Sequence, residues 1–206
     1  MKVTEEEIVI ESSGLRLEGR LAGGRQGMRP ALLCAPHPLY GGNMHNEVVA
    51  EAAQALSEMG HLVLRFNYRG VGGSGGSYAG GKGESQDTGA AADFLRLKTG
   101  SPVVMACGYS FGAWVALQCR AGRQDIAPLV LISPPNRMMD FDFSILPADL
   151  VVFAGTQDEF CDPDLLARQF GRDIRLVEGA DHFYSTGLDE LILGIRSVAL
   201  SLAPEG

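Results

Sequence analysis

The chain has 206 residues, is 46% hydrophobic and 20% charged, and carries a formal net charge of −8. This length and composition predict one globular domain over residues 1–206, and no apolar run is long enough to cross a membrane. The acidic balance, without a cluster of Lys and Arg, excludes nucleic acid and anionic membrane surfaces as expected partners.

The N-terminal residues and the cysteines indicate a reducing compartment. Met1–Glu7 is acidic and lacks the basic-then-apolar layout of a signal peptide. The cysteines have no C-x-x-C spacing, which gives no support for a zinc or redox site; they are Cys34, Cys107, Cys119 and Cys161. We therefore expect a cytoplasmic protein with no metal site.

The first predicted element is a hairpin. Ile8–Ile10 and Leu15–Leu21 flank the turn residues Ser12, Ser13 and Gly14. The second run alternates apolar and polar residues, which is typical of an antiparallel strand with one wet face.

The rest of the chain alternates buried strands with helices. Nearly continuous apolar runs predict strands of a parallel sheet covered on both faces: Ala31–Ala35, Leu62–Phe66, Val103–Cys107, Leu129–Ile132 and Leu150–Ala154, with a shorter strand at Ile174–Val177. Helices are predicted at Glu47–Met59, Glu84–Leu97, Pro163–Phe170 and Leu188–Leu202. This order predicts an α/β fold with a mostly parallel, doubly wound sheet and an N-terminal antiparallel hairpin.

The glycine-rich segment Gly70–Gly83 contains two motifs that resemble nucleotide-binding loops. Gly70–Gly75 matches GxGxxG after a strand, but more glycines follow where a helix should begin. Gly76–Lys82 resembles a phosphate-binding loop, but Gly83 replaces the Ser or Thr that would bind magnesium. We therefore interpret the segment as a flexible surface crossover and expect no cofactor.

Gly108–Gly112, with Ser110 at its centre, lies between a predicted strand and a predicted helix. A serine on such a turn, flanked by glycines, is typical of a nucleophile elbow. Ser110 is the candidate nucleophile, and it needs a base and an acid that orients the base.

The candidate partners of Ser110 follow other strands. Ligands of an α/β sheet bind beyond the carboxyl ends of its strands, and His37, His182 and Asp158 all lie there. The order Ser110, Asp158, His182 matches that of a Ser-Asp-His triad. Asp140 and Asp142 remain alternatives for the acid, while the other two histidines, His45 and His61, are expected to make surface or local contacts.

These segments resemble one known family. Pro36–Asn43, Arg65–Ser74, the Ser110 turn and the loops of Asp158 and His182 are similar to the lidless branch of the α/β-hydrolase superfamily, near its dienelactone-hydrolase-like and small serine-esterase-like members. The resemblance covers residue 30 to the end and is specific for fold and mechanism but not for substrate.

The resemblance implies a serine hydrolase that cleaves a small carboxylic ester or thioester through an acyl-enzyme on Ser110. Its oxyanion hole would use the Phe111 N–H and a donor from the loop after Ala35. Pro38 has no N–H, which leaves Leu39 or Tyr40, and we favour Leu39. His37 is expected to brace its own loop. Dienelactone hydrolases carry a cysteine at the nucleophile position, whereas this chain has Ser110. This difference favours esterase chemistry over lactone opening.

The segment Ser133–Asp149 is too short for a helical cap, so we expect an open site without a cap domain. Its apolar residues either line a pocket or plug the sheet edge; they are Met138, Met139, Phe141, Phe143 and Ile145. The candidate substrate-binding residues are His37, Tyr40, Met138 and Phe141, whereas Trp114 is expected to pack in the core.

Two other interpretations remain. The same groups would serve an acyltransferase, an amidase or a perhydrolase, and the fold also occurs as a non-catalytic binding scaffold. The expected partner is a small-molecule ester or thioester, and a homodimer through the sheet edge or the last helix is compatible with the sequence.

Overall fold

The structure of the chain, a computed structural model, describes residues 4–142, 147–170 and 174–201. Its strands are β1 (Glu5–Ser12), β2 (Leu15–Gly23), β3 (Ala31–Cys34), β4 (Leu62–Phe66), β5 (Val104–Tyr109), β6 (Ile126–Ile132), β7 (Leu150–Gly155) and β8 (Arg175–Val177). Its helices are α1 (Glu47–Glu58), α2 (Lys82–Thr99), α3 (Phe111–Ala121), α4 (Pro163–Phe170) and α5 (Leu188–Leu200), with a 3-10 turn at Pro38–Tyr40.

All eight strands form one sheet in the order β1-β2-β4-β3-β5-β6-β7-β8. The β1–β2 and β2–β4 pairs are antiparallel, and every later pair is parallel. This confirms the predicted mostly parallel sheet with an N-terminal hairpin.

Helices cover both faces of the sheet because its central strands are apolar on both sides. Every residue of β3 and of β5 is buried. One hydrophobic cluster packs α2, α3 and α4 against the first face, and a second cluster packs α1 and α5 against the other. Because β3 to β8 are parallel, their carboxyl ends all lie at the same edge of the sheet.

Of the element boundaries that differ from the sequence prediction, two have clear local reasons. β6 begins at Ile126, before Pro128, where the β5–β6 register is irregular; a proline lacks the ladder N–H and argued against a strand there. α2 begins at Lys82 because the Glu84 carboxylate accepts the Gly81 N–H, a cap that a glycine does not reveal in sequence.

In its described parts, residues 133–142 and 147–149, the connection between β6 and β7 forms turns, bends and irregular backbone without a helix. None of the described helices is long and apolar enough to span a membrane. All four cysteines are free and buried.

Candidate active site

The turn between β5 and α3 holds Ser110 in a left-handed backbone conformation. Its φ is 55°, which residues other than glycine rarely adopt. A Cβ at Gly108 would lie 2.3 Å from the Gly112 carbonyl oxygen, and one at Gly112 would lie 2.3 Å from the Cys34 carbonyl oxygen. Strand, helix and β3 therefore meet at distances that only glycine allows, as in a nucleophile elbow.

His182, on the loop between β8 and α5, reaches across to Ser110. Its Nε2 lies 2.9 Å from Ser110 Oγ, and its Nδ1 lies 2.9 Å from each carboxylate oxygen of Asp158. Because a carboxylate only accepts, Nδ1 carries the proton and Nε2 is left to accept the Ser110 O–H. Asp158 thus occupies the position for which Asp140 and Asp142 were alternatives.

The Asp158 carboxylate is buried but accepts several hydrogen bonds from the protein. Besides His182, Oδ1 accepts the N–H groups of Phe160 and Cys161 at 2.9 and 3.0 Å. Burial alone raises the pKa of Asp158, but hydrogen bonds from His182, Ser133 and Phe160 and the charge of His182 together lower it. The carboxylate is therefore held charged beside the imidazole.

Three further residues, which the sequence analysis missed, support this arrangement. Tyr109 donates its hydroxyl to the His182 carbonyl oxygen at 2.7 Å, and Ser133 Oγ lies 3.1 Å from Tyr184 Oη. Ser133 and Tyr184 are both buried, with positive φ values of 44° and 55°. Ser133 directly follows β6, so the strand-end rule that selected Asp158 would also have found it.

The two predicted oxyanion donors behave differently. Phe111 is the first residue of α3, where no helical partner exists for its N–H. The Leu39 N–H, the predicted second donor, donates to His37 Nδ1 at 3.2 Å, and its role in an oxyanion hole stays a prediction that this bond disfavours. Tyr40, the alternative, donates its N–H to the His37 carbonyl oxygen.

Between Pro36 and Gly42, the His37 N–H is the amide without a hydrogen-bond acceptor among the described residues. No hydrogen bond from it to another described residue is found, and the flanking Pro36 and Pro38 have no N–H. The loop also passes close to α3, because the Gly112 backbone packs on the carbonyl oxygens of Cys34 and Ala35. The His37 and Phe111 ring centroids are 4.6 Å apart.

The other candidate substrate residues separate into exposed and buried ones. Tyr40 and Met138 are exposed at 87% and 67%, whereas Phe141 is buried in the cluster that packs α2 and α3. Phe141 therefore packs in the core, and its contact with substrate stays a prediction. Phe143 and Ile145 lie outside the described residues.

Two aromatic rings lie next to the His182 imidazole. The rings of Phe160 and Phe183 lie 4.8 and 5.6 Å from the His182 ring. Trp114, expected in the core, is only partly buried, and its indole N–H donates to the Asp140 carbonyl oxygen at 2.8 Å.

Of the remaining histidines, His45 lies at the surface as expected, whereas His61 makes neither a surface nor a local contact. His61 is buried, with Nδ1 2.7 Å from the Arg29 carbonyl oxygen. His45 is exposed, with Nδ1 3.4 Å from Arg65 Nη1.

Backbone N–H groups of the glycine-rich crossover donate hydrogen bonds to other parts of the protein. Gly73 donates to Glu18, Gly75 to the Arg16 carbonyl oxygen and Gly81 to Glu84. No group of His, Cys, Asp or Glu arranged to hold a metal ion occurs among residues 4–142, 147–170 and 174–201.

Known proteins resemble this chain over nearly its whole length. No family model matches it. An uncharacterized protein from Rickettsia prowazekii, RP471, is 36% identical over 203 residues, covering 91% of this chain and 85% of the relative.

Solved structures share both fold and sequence. XC6422 from Xanthomonas campestris, an α/β serine hydrolase without a lid, is 30% identical with a TM-score of 0.86, covering 98% of this chain and 96% of that one. An α/β serine hydrolase homologue from Coxiella burnetii is 29% identical with a TM-score of 0.84, covering 93% and 96%. With these similarities and the geometry at Ser110, the chain belongs to the α/β-hydrolase superfamily, among the serine hydrolases that lack a lid.

Proposed function

We propose that the protein is a serine esterase that cleaves a small, uncharged carboxylic ester through an acyl-enzyme on Ser110. The observation that carries this proposal is the continuous contact from Ser110 Oγ to His182 Nε2 and from His182 Nδ1 to Asp158, each at 2.9 Å. A hydroxyl, an imidazole and a buried carboxylate in this order form the general-base system of a serine hydrolase.

The reaction follows from that geometry in two halves. Ser110 Oγ attacks the ester carbonyl carbon while its proton moves to His182 Nε2. The carbon–oxygen bond to the alcohol then breaks, and Nε2–H returns the proton to the departing alkoxide oxygen. Water adds to the acyl-enzyme with His182 as base, and the acid leaves as Ser110 regains its proton.

The negative charge on the tetrahedral oxygen would be stabilised by two amides. We assign these to the N–H groups of Phe111 and His37, because neither donates to another group among the described residues. The Phe111 N–H lies at the amino end of α3, where the helix dipole also favours negative charge. In serine hydrolases one such donor contributes about 3 kcal/mol to transition-state stabilisation.

Exposed apolar side chains on loops that follow the parallel strands, as Ser110 does, favour an apolar substrate. Leu39, Tyr40, Met138 and Phe183 are each at least 66% exposed and lie on the loops after β3, β6 and β8. A substrate that covers such side chains gains the hydrophobic contribution of the buried area.

The charge of the loops after β6, β7 and β8 disfavours an acyl-coenzyme A thioester. The acidic residues of these three loops are Asp140, Asp142, Asp149, Asp158, Glu159, Asp162, Glu178 and Asp181. Arg137, the cation on the loop after β6, lies 3.8 Å from the Asp162 carboxylate. A substrate with several phosphates would meet a field of its own sign.

Labelling with a fluorophosphonate tests the nucleophile. We expect the wild type to label, Ser110→Ala to lose labelling and ester turnover, and Ser101→Ala to behave as wild type. Ser101 precedes β5 at the opposite end of that strand and donates to the Val103 carbonyl oxygen. Equal labelling of wild type and Ser110→Ala would contradict the proposal.

The substrate class is tested separately by comparing p-nitrophenyl acetate and butyrate with acetyl- and butyryl-coenzyme A. We expect kcat/KM to be at least about tenfold higher for the uncharged esters, because the like-charged loops slow the encounter with the thioesters. Higher kcat/KM for the thioesters would keep the serine mechanism and overturn the assignment of the substrate.

A further inference from the structure

The imidazole of His37 connects the oxyanion loop to the glycine-rich crossover. The Leu39 N–H donates to His37 Nδ1 at 3.2 Å, so Nδ1 is unprotonated and the ring proton lies on Nε2. His37 Nε2 is 3.2 Å from the hydroxyl oxygen of Tyr78. Burial lowers the pKa of His37, which keeps the ring neutral and Nδ1 able to accept.

Tyr78 is itself held firmly by the start of α2. The Glu84 carboxylate is fully buried and accepts the N–H groups of Ala79 and Gly81 at 2.9 and 2.7 Å. These amides flank Tyr78 on its C-terminal side. The Trp114 ring packs on Gly81 so closely that a Cβ there would lie 2.1 Å from the ring. The end of the crossover is thus fixed against both α2 and α3.

The rings of His37, Tyr78 and Phe111 pack together. The Tyr78 centroid lies 5.0 Å from that of His37 and 6.1 Å from that of Phe111. Tyr78 is therefore a shared neighbour of His37 and Phe111, the two residues whose amides we assign to the oxyanion hole. It also forms a hydrogen bond with His37.

We infer that Tyr78 is a positioning residue that holds His37, and with it the His37 N–H, in register with the Phe111 N–H. This inference rests on the proposed function of the same site. It gives the glycine-rich crossover a role that neither of its nucleotide-loop motifs supplies, because the crossover places the Tyr78 hydroxyl beside His37 of the oxyanion loop.

The first test is Tyr78→Phe, which removes the hydroxyl and keeps the ring packing. Complete loss of an oxyanion donor costs about 100- to 1,000-fold in kcat, and a loosened donor should cost part of that. We expect kcat for p-nitrophenyl acetate to fall about 3- to 10-fold, with KM within twofold and an unchanged melting temperature. Unchanged kcat, or a rise in KM alone, would show a packing or substrate-contact role and overturn the inference.

A double-mutant cycle with His37→Asn separates the His37–Tyr78 hydrogen bond from the hydrogen bond that His37 accepts from the Leu39 N–H. Asparagine is a favoured N-cap whose side-chain oxygen can accept the Leu39 N–H, but it is too short to reach Tyr78. We expect Tyr78→Phe to cause no further loss in the His37→Asn background. Fully additive losses would contradict coupling through His37.

Nitrogen NMR of the imidazoles gives a readout that does not depend on activity. We expect His37 as the neutral Nε2–H tautomer, with its Nε2 signal shifted in Tyr78→Phe and its Nδ1 signal retained. An Nδ1–H tautomer, or an Nε2 signal that ignores the substitution, would overturn the inference even if Ser110 labels normally. Loss of the proposed function would appear instead as absent fluorophosphonate labelling of the wild type.

Discussion

The position of the Ser110 hydroxyl depends on the two glycines that flank it. Ser110 itself is in the left-handed region, and three of the four described non-glycine residues with positive φ belong to this site: Ser110, Ser133 and Tyr184. Such backbone strain persists where the surroundings fix it, and it is concentrated at functional sites. Here the fixing contacts are the close approaches of Gly108 and Gly112 to neighbouring backbone.

Gly112→Ala should therefore disrupt the site and the fold together. The new Cβ would lie 2.3 and 2.6 Å from the carbonyl oxygens of Cys34 and Ala35, and backbone atoms cannot move aside cheaply. We expect a loss of at least about 2 kcal/mol in the free energy of unfolding, measured by urea denaturation. Gly122→Ala is the control, since a Cβ at Gly122 would meet nothing within 4 Å and we expect a change below about 1 kcal/mol.

Asp158→Asn tests the acid at the same scale. An amide at this position can donate to His182 Nδ1 and so favours the tautomer that cannot accept the Ser110 proton; in a well-studied triad this costs about 10,000-fold in kcat. We expect at least a 100-fold loss of kcat for p-nitrophenyl acetate, with Asp142→Asn close to wild type. The reverse pattern would move the acid to the loop after β6.

The sequence predicted which residues converge at Ser110, but not which amides remain available. Ser110, Asp158 and His182 each follow a strand, and the topology of a parallel sheet then brings them together. The preference for Leu39 did not take into account that the His37 side chain, two residues earlier, accepts its N–H. Such local bonds depend on ring orientation, which residue spacing does not encode.

At the scale of elements, the crossover between β4 and α2 is anchored by buried charge. The Asp87 carboxylate on α2 is fully buried and accepts the Arg69 guanidinium, the Arg69 N–H and the Ser12 hydroxyl. The Glu18 carboxylate on β2 holds the Asn67 side chain and the Gly73 N–H, each at 2.8 Å. The segment expected to be a flexible surface crossover is thus attached to both the hairpin and α2.

Asp87→Asn should loosen that attachment. Removing one partner of a buried ion pair leaves the other charge uncompensated and typically costs about 3–5 kcal/mol. We expect a loss near the lower figure in chemical denaturation, because the amide retains one acceptor. Asp93→Asn, which alters a pair with Arg123 whose Asp93 side chain is 52% exposed, should cost less than about 1 kcal/mol. Equal losses in both variants would contradict the role of the buried pair.

The periodicity of apolar residues predicted the helices and strands well. It did not predict the side-chain contacts that anchor the crossover between β4 and α2. Continuous apolar runs identified the buried strands because both faces of the sheet are covered. The glycines of the crossover suggested a nucleotide loop or mobility, whereas long-range partners such as Glu18 and Asp87 determine its conformation. Contacts across 18 to 55 positions of the chain leave no local signature.

At the scale of the whole molecule, alternating strands and helices predicted the layers but not the strand order. The β2–β4 pairing places the hairpin beside β4 rather than beside β3, its neighbour in sequence. Several carboxylates in different parts of the chain have a lowered pKa: Glu18 through the Gly73 amide and Asn67, and Asp125 chiefly through Arg123. Asp158, discussed above, is a third.

Stability should therefore fall in acid. In the unfolded chain these groups titrate near their ordinary values, about 3.9 for Asp and 4.3 for Glu. Because the pKa of each is lower in the folded protein, their stabilisation is present above about pH 4.5 and is lost as the pH falls through the lowered values. Melting temperatures measured from pH 7 to pH 3 should drop below about pH 4.5; a rise on acidification would show that relief of the net negative charge prevails.

The burial of all four thiols has a practical consequence for covalent chemistry on this protein. Burial raises the pKa of Cys34 and Cys107 to about 12 and that of Cys119 to about 11, and it raises that of Cys161 further. At neutral pH none of them presents an accessible thiolate to an alkylating reagent. An acylating or phosphonylating inhibitor can thus be profiled without thiol protection, and its adduct interpreted free of competing sulfur chemistry.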